Sequence, residues 1–167
     1  MEQTAPQGDG TDVPGVVVRP PFLVLGAFVL GAVMDHVLPL PFPISRPSPA
    51  HWISATFAAM MIICGTALAA AGIRNFIAAA TPVPGNQPVR VLVTTGIHGW
   101  SRNPIYVGML LLYIGIGLAM RSPWILLLAI PVALTIRYGV IAREESYLQQ
   151  RFSDAYREYR TRVRRWL

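Results

Sequence analysis

Four long apolar runs constrain this chain more than any other feature. Residues 22–41, 52–73, 104–120 and 123–142 are stretches of 20, 22, 17 and 20 residues. Asp35 and His36 interrupt the first and Arg137 the fourth, while the second and third carry no charge. A bilayer hydrocarbon core of about 30 Å is crossed by about 20 helical residues, so each run has the length of a span. The expected fold class is an all-α integral membrane protein with about four transmembrane helices. Composition agrees: charged residues are only 13% of the 167, against roughly 25% in soluble domains. Mean hydropathy is +0.47. These values exclude a disordered chain and argue against an ordinary soluble enzyme.

All 14 basic residues are arginines, and their placement predicts an orientation. Arg46 stands alone between the first two runs, and Arg121 alone between the last two. Arg74, Arg90 and Arg102 lie between the second and third, and seven more arginines follow from Arg143. Under the positive-inside rule the second loop and both termini face the cytoplasm. The short 120–123 turn predicts an antiparallel hairpin of the last two runs, with Trp124 as an interfacial anchor. A net charge of +6 invites comparison with nucleic-acid binders. The arginines sit at span ends and in the tail, however, so no nucleic-acid partner is expected.

The expected organisation is a disordered tail over 1–20 and one membrane domain over 21–167. Within the domain, a loop over 81–103 precedes the third span, and a helix covers 144–166. That helix shows Leu148, Phe152, Tyr156, Tyr159, Val163 and Trp166 at spacings of three and four, the apolar stripe of an amphipathic helix with arginines on its other side. Such a helix lies on the membrane or folds back onto the cytoplasmic ends of the spans. The three prolines of 81–88 exclude a helix there. One cysteine, Cys64, and three scattered histidines give no metal-ligand set, so no metal is expected.

Two places concentrate chemistry. The segment 90–108 gathers His98, Trp100, Ser101, Arg102, Asn103 and Tyr106 just before a span. Asn103 and Pro104 read as a helix cap and first turn, an arrangement that leaves N–H groups to hold an anion. The adjacent pair Glu144–Glu145 supplies two of only eight acids in the chain. An antiparallel hairpin brings that pair and the loop to one cytoplasmic pocket. Arg137 precedes Glu144 by seven residues, which places both on one face of a regular helix, about 10 Å apart. A charge at that depth is costly unless paired or lining a cavity.

The loop GIHGWSRNPIYVG and the later AREESYLQQRFSDAYREYRTRVRRW together resemble the isoprenylcysteine carboxyl methyltransferase family and its bacterial, phospholipid methyltransferase-like relatives. The likeness covers about residues 80–166. It departs from the family pattern at Asn103, where the family has histidine, at His98 in place of a tyrosine, and at Ser153 in place of a glycine after Phe152. Val140 stands where the prenylcysteine enzymes carry a substrate arginine, leaving Arg137 as the candidate replacement.

The resemblance implies a membrane methyltransferase using S-adenosyl-L-methionine in a cytoplasmic pocket. Cofactor contacts carried over by motif fall on Arg90, Val91, Leu92, Val93, His98, Asn103, Pro104, Ile105, Tyr106 and Glu144, with Arg102 from the same loop. Arg137, Glu144 and Glu145 are the candidate catalytic residues: Arg137 to neutralise an anionic group on the acceptor, a glutamate to take a proton from an amine. The implied partner is a membrane lipid or lipidated small molecule. Carboxyl O-methylation of an isoprenylcysteine-like acceptor is the leading expectation, since a carboxylate needs no general base at pH 7. The alternatives are N-methylation of a phospholipid amine and a non-catalytic subunit of the same fold.

Overall fold

The computed structural model describes residues 15–16, 18–42, 48–83 and 87–166. The loop expectation at Arg46 and most of the proposed N-terminal tail lie outside the described residues. Five α-helices make up most of the described chain: α1 (Pro20–Val37), α2 (Pro49–Ala78), α3 (Pro104–Met120), α4 (Pro123–Thr135) and α5 (Ala142–Arg162). A π-helical turn, Ile136–Ile141, joins α4 to α5 without a break, and a 3-10 turn, Gly96–Gly99, precedes α3. Each of α1 to α4 opens on proline in its first turn, where the missing N–H costs nothing. Ser48 and Ser122 accept backbone N–H groups at the starts of α2 and α4. Among the described residues, three helices are long and apolar enough to cross a membrane: α1, α2 and the continuous helix that begins at Pro123. The remaining run forms a shorter apolar helix, α3, over the 17 residues expected for it. The chain is a multi-pass membrane protein.

Small residues set the bundle. A methyl group at Gly108 would come within 2.5 Å of the Gly65 carbonyl oxygen, and one at Gly65 within 2.7 Å of the Gly108 carbonyl oxygen. Gly72 meets Ile105 and Gly115 meets Ala58 and Ile62 in the same way. The backbones of α2 and α3 therefore touch along one seam, the packing favoured in lipid where side-chain burial gives no drive. The seam is antiparallel, and Arg121 at the end of α3 lies 3.2 Å from His51 Nδ1 at the start of α2. On the other side, Gly31 of α1 packs on Ile125 of α4, and Trp124 Nε1 donates to the Leu38 carbonyl at 2.7 Å.

α2 has 30 residues, about 45 Å of helix against a core of about 30 Å. Its last turn carries Asn75 and Phe76 to a polar cap built from residues 79–83, 87–103 and α5. Helix α5 folds back onto this cap. Tyr147, Phe152, Tyr156 and Tyr159 bury against Val89 and Leu92, so the apolar stripe of the helix packs on the loop that precedes α3.

Candidate functional site

The cap site is assembled at the junction of three helix ends. The π turn carries the chain from α4 into α5 and delivers Glu144 and Glu145 beside the start of α3. Pro131 inside α4 supplies no N–H and disturbs the bonding ladder of that helix; the wide turn begins five residues later. A π turn adds a residue to the local register, rotating the downstream helix by about a quarter turn. This corrects the expectation that Arg137 shares a face with Glu144. The Arg137 guanidinium instead lies over the Tyr138 ring, 5.5 Å from its centroid, and Arg137 lines neither lobe of the site.

Both glutamates are buried but hold different partners. The Tyr106 hydroxyl donates to Glu144 Oε1 at 2.7 Å. Glu144 lies two residues beyond the apolar run 123–142, outside the membrane-spanning segment. Burial pushes its carboxyl up to about 7, with the Tyr106 bond opposing that rise and Glu145 adding to it. Glu145 is ionically paired twice. Arg165 Nε and Nη2 donate to its two oxygens at 2.8 and 2.6 Å, and Arg102 Nη2 lies 3.2 Å from Oε1. Two arginines share the Glu145 carboxylate, and Glu144, with its carboxyl near 7, balances the second only when ionised. The Arg102 side chain is 9% exposed, yet among the described residues its Nε and Nη1 are buried without a hydrogen-bond partner. Orphaned donors of this kind are rare in folded proteins and are met by a ligand group or by ordered water.

His98 is held from several sides. Its carbonyl accepts from the Tyr159 hydroxyl at 2.6 Å, and its ring edge meets Phe76 at 4.8 Å. Asn75 Nδ2 donates to the Thr95 carbonyl at 2.8 Å and stands 3.3 Å from His98 Nδ1. The Thr95 carbonyl fixes which end of the Asn75 amide is NH₂. Nδ1 is therefore the acceptor and the ring proton sits on Nε2. Burial lowers the imidazole to about 4, so His98 is neutral at pH 7. Gly96 enters this turn at φ +58, and a side chain there would meet Asn75.

Two cavities share Phe76, His98, Arg102, Asn103 and Glu144 as a common wall. One extends to Val91, Leu92, Val93, Glu145, Leu148 and Tyr156, the other to Pro104, Ile105 and Tyr106. They enclose about 40 and 30 Å³, room for a water molecule or so. Of the residues expected from sequence, Val91, Leu92, Val93, His98, Arg102, Asn103, Pro104, Ile105, Tyr106, Glu144 and Glu145 are brought together. Arg90 is not: it is exposed, and its backbone N–H donates to Thr81 Oγ1 at 2.9 Å. Asn103 takes the cap position of α3, but its side chain makes no capping bond and donates instead to the Arg165 carbonyl at 3.0 Å. Sequence reasoning missed Asn75, Phe76 and the role of Arg165.

Comparisons with known proteins bear on this geometry. A family model described as Phospholipid methyltransferase matches residues 53–155, which include both glutamates and the whole 90–108 segment. The protein-S-isoprenylcysteine O-methyltransferase of Saccharomyces cerevisiae is 40% identical over 73 residues, 44% of this chain and 30% of the yeast protein. The chain thus spans less than a third of that relative. An uncharacterized protein of Haemophilus influenzae is 40% identical over 63 residues, 38% of this chain and 100% of its own length. A solved structure, that of the eukaryotic intramembrane Ras methyltransferase (isoprenylcysteine carboxyl methyltransferase), superposes with a TM-score of 0.63 at 21% identity. That match covers 88% of this chain and 52% of the other. At that identity the likeness speaks for the fold.

Proposed function

The chain belongs to the phospholipid methyltransferase family, and from that premise we propose that it transfers a methyl group from S-adenosyl-L-methionine to a lipophilic acceptor. The single observation that carries this reading is the pair of orphaned donors on Arg102, which lines both lobes of the site. The residues fit such a cofactor. A free donor of Arg102, Nε or Nη1, can give its carboxylate a charge-assisted hydrogen bond. Phe76, Val91, Leu92 and Leu148 offer apolar walls for a nucleoside. When bound, the cofactor supplies a methyl group already activated on a sulfonium, so the chain needs to orient rather than activate. The two cavities are smaller than a nucleoside, so binding requires their walls to part.

Each residue then has a task. Arg102 binds the anionic group, and Glu145 holds Arg102. Glu144 and Tyr106 line the lobe that leads toward α3 and the apolar bundle, where a lipid head group would arrive. Neutral His98 adds no charge to repel a sulfonium, and its Nε2–H is a donor without formal charge. The arginines crowding the cap support a cytoplasmic placement under the positive-inside rule.

A carboxyl acceptor such as an isoprenylcysteine fits the family's yeast relative and needs no base. A phospholipid amine is the second reading, favoured by Glu144: a carboxylate raised to about 7 is poised to take a proton near neutral pH. The protein in lipid nanodiscs, given methyl-labelled S-adenosyl-L-methionine with either a farnesylated cysteine or phosphatidylethanolamine, separates them. Base-labile label on the first supports O-methylation; base-stable label on the second supports N-methylation. No transfer to any lipid, with cofactor binding intact, would favour a non-catalytic subunit.

A further inference from the structure

The last described residues, 163–166, leave α5 at Val163, where the backbone turns extended, and run back along the loop before α3. The strap is anchored at several points. Arg102 N–H donates to the Arg164 carbonyl at 2.9 Å, and Asn103 Nδ2 donates to the Arg165 carbonyl at 3.0 Å. Ser101 Oγ reaches the same carbonyl at 3.5 Å. Trp166 packs on the cluster that contains Tyr106. The strap lies beyond residues 53–155, the stretch matched by the family model.

Its side-chain contact is the informative one. Arg165 takes both oxygens of Glu145 through Nε and Nη2, the two-pronged grip that arginine makes on a carboxylate. Arg102 is left with a one-point contact through Nη2. Were Arg165 absent, Glu145 would be open to a two-pronged grip from Arg102, which would draw in one of the donors now unspent.

We propose that the strap is a positioning element of the cofactor site. By occupying Glu145, Arg165 keeps Arg102 in a single-point grip, so that a donor of Arg102, Nε or Nη1, remains available for the carboxylate of the cofactor's amino-acid part. This rests on reading the site as one for S-adenosyl-L-methionine. Arg165 acts through Glu145 and Arg102 and need not touch the ligand.

Two ligands isolate the effect. S-adenosylhomocysteine carries the carboxylate; 5′-methylthioadenosine is a related thioether nucleoside without the amino-acid part. Both are titrated calorimetrically into the full-length protein in nanodiscs. Arg165→Ala should weaken S-adenosylhomocysteine about 10-fold, the scale of one charged hydrogen bond, and change 5′-methylthioadenosine less than about twofold. In an Arg102→Ala background, Arg165→Ala should have no further effect on either ligand. Equal losses for both ligands would make the strap merely structural and overturn the proposal, as would unchanged affinity for both. If Arg165→Ala does not fold, Arg165→Lys keeps the charge but not the two-pronged grip. It should show a smaller loss confined to S-adenosylhomocysteine, and a loss shared by both ligands would again overturn the proposal. Failure of the unmodified protein to bind either ligand would overturn the reading of the site itself, before any variant is compared.

Discussion

The α2–α3 seam and the polar cap hold together by opposite means. The seam sets glycine and alanine against backbone along its length, with the polar contact of Arg121 and His51 at its far end. The cap is built from tyrosine hydroxyls, a buried histidine and a carboxylate shared by two arginines. Close approach in the seam fixes where α3 begins relative to α2, and so brings Phe76 beside Asn103. The cap then uses that fixed geometry to hold groups that are costly to bury and useful only if they meet a ligand. The difference teaches that the apolar bundle is the frame and the cap is the site.

The largest effect should come from wedging the seam. In Gly108→Leu the first added carbon already meets the Gly65 carbonyl and the Ala69 nitrogen, and backbone cannot swing aside as a side chain can. A loss of about 3 kcal/mol or more is expected, read as a collapse of the melting temperature in detergent with cap and bundle failing together. A cap that still binds cofactor in this variant would break the claim that the seam positions it.

Acid should separate the two regions. His98 has an ordinary imidazole value of 6.5 when unfolded and about 4 in the fold. The unfolded chain therefore binds the proton first, and the stability present above pH 6.5 is lost as pH falls through about 4. The loss is on the order of 3 kcal/mol. Glu144 acts the other way: raised from 4.5 to about 7, it adds stability as pH falls through an overlapping window and offsets the His98 loss in the unmodified cap. His98→Phe should therefore leave a cap that gains stability with mild acid, read by tyrosine fluorescence, while the helical content of the bundle stays unchanged.

A smaller effect is expected from Tyr106→Phe. It removes the hydrogen bond to Glu144 Oε1, at a cost of about 1–2 kcal/mol. Because that bond opposes the rise of the Glu144 carboxyl, its loss should push the carboxyl higher, and any rate that depends on an ionised Glu144 should need a higher pH. A pH–rate profile unmoved by the substitution would remove Glu144 from the chemistry.

The smallest change should be a gain. Ser153 sits at φ 41 and ψ −109 where α5 kinks, a conformation that costs a side-chain-bearing residue about 1–3 kcal/mol. Ser153→Gly should stabilise the cap by about 1 kcal/mol after the entropy of glycine is counted, seen as a small rise in melting temperature without change in ligand affinity. The position is also where the family resemblance expects a glycine.

The same contrast explains what was legible in the sequence. Length and hydropathy located all four apolar runs, and 104–120 matches α3 to the residue, because proline and a left-handed Arg121 at φ 59 mark its ends. The motif residues around His98 and Glu144 were legible because their chemistry is unusual beside a span. Asn75 and Phe76 were not, since the apolar run ends at residue 73 and nothing local says the helix continues into the cap. Arg165 was hidden among like arginines 20 residues from Glu145, and its pairing depends on a kink and a strap that no periodicity encodes. Arg137 was misplaced by assuming an unbroken α register across a π turn. Pro131 was the available signal for that.

Hydrogen–deuterium exchange with and without S-adenosylhomocysteine tests most directly whether the cap is the site and the bundle its frame. Ligand should slow exchange in peptides covering 91–106, 144–148 and 156–166, and leave α1 and the far half of α2 unchanged. No protection in the cap, or protection centred on α1 and the far half of α2, would contradict the account.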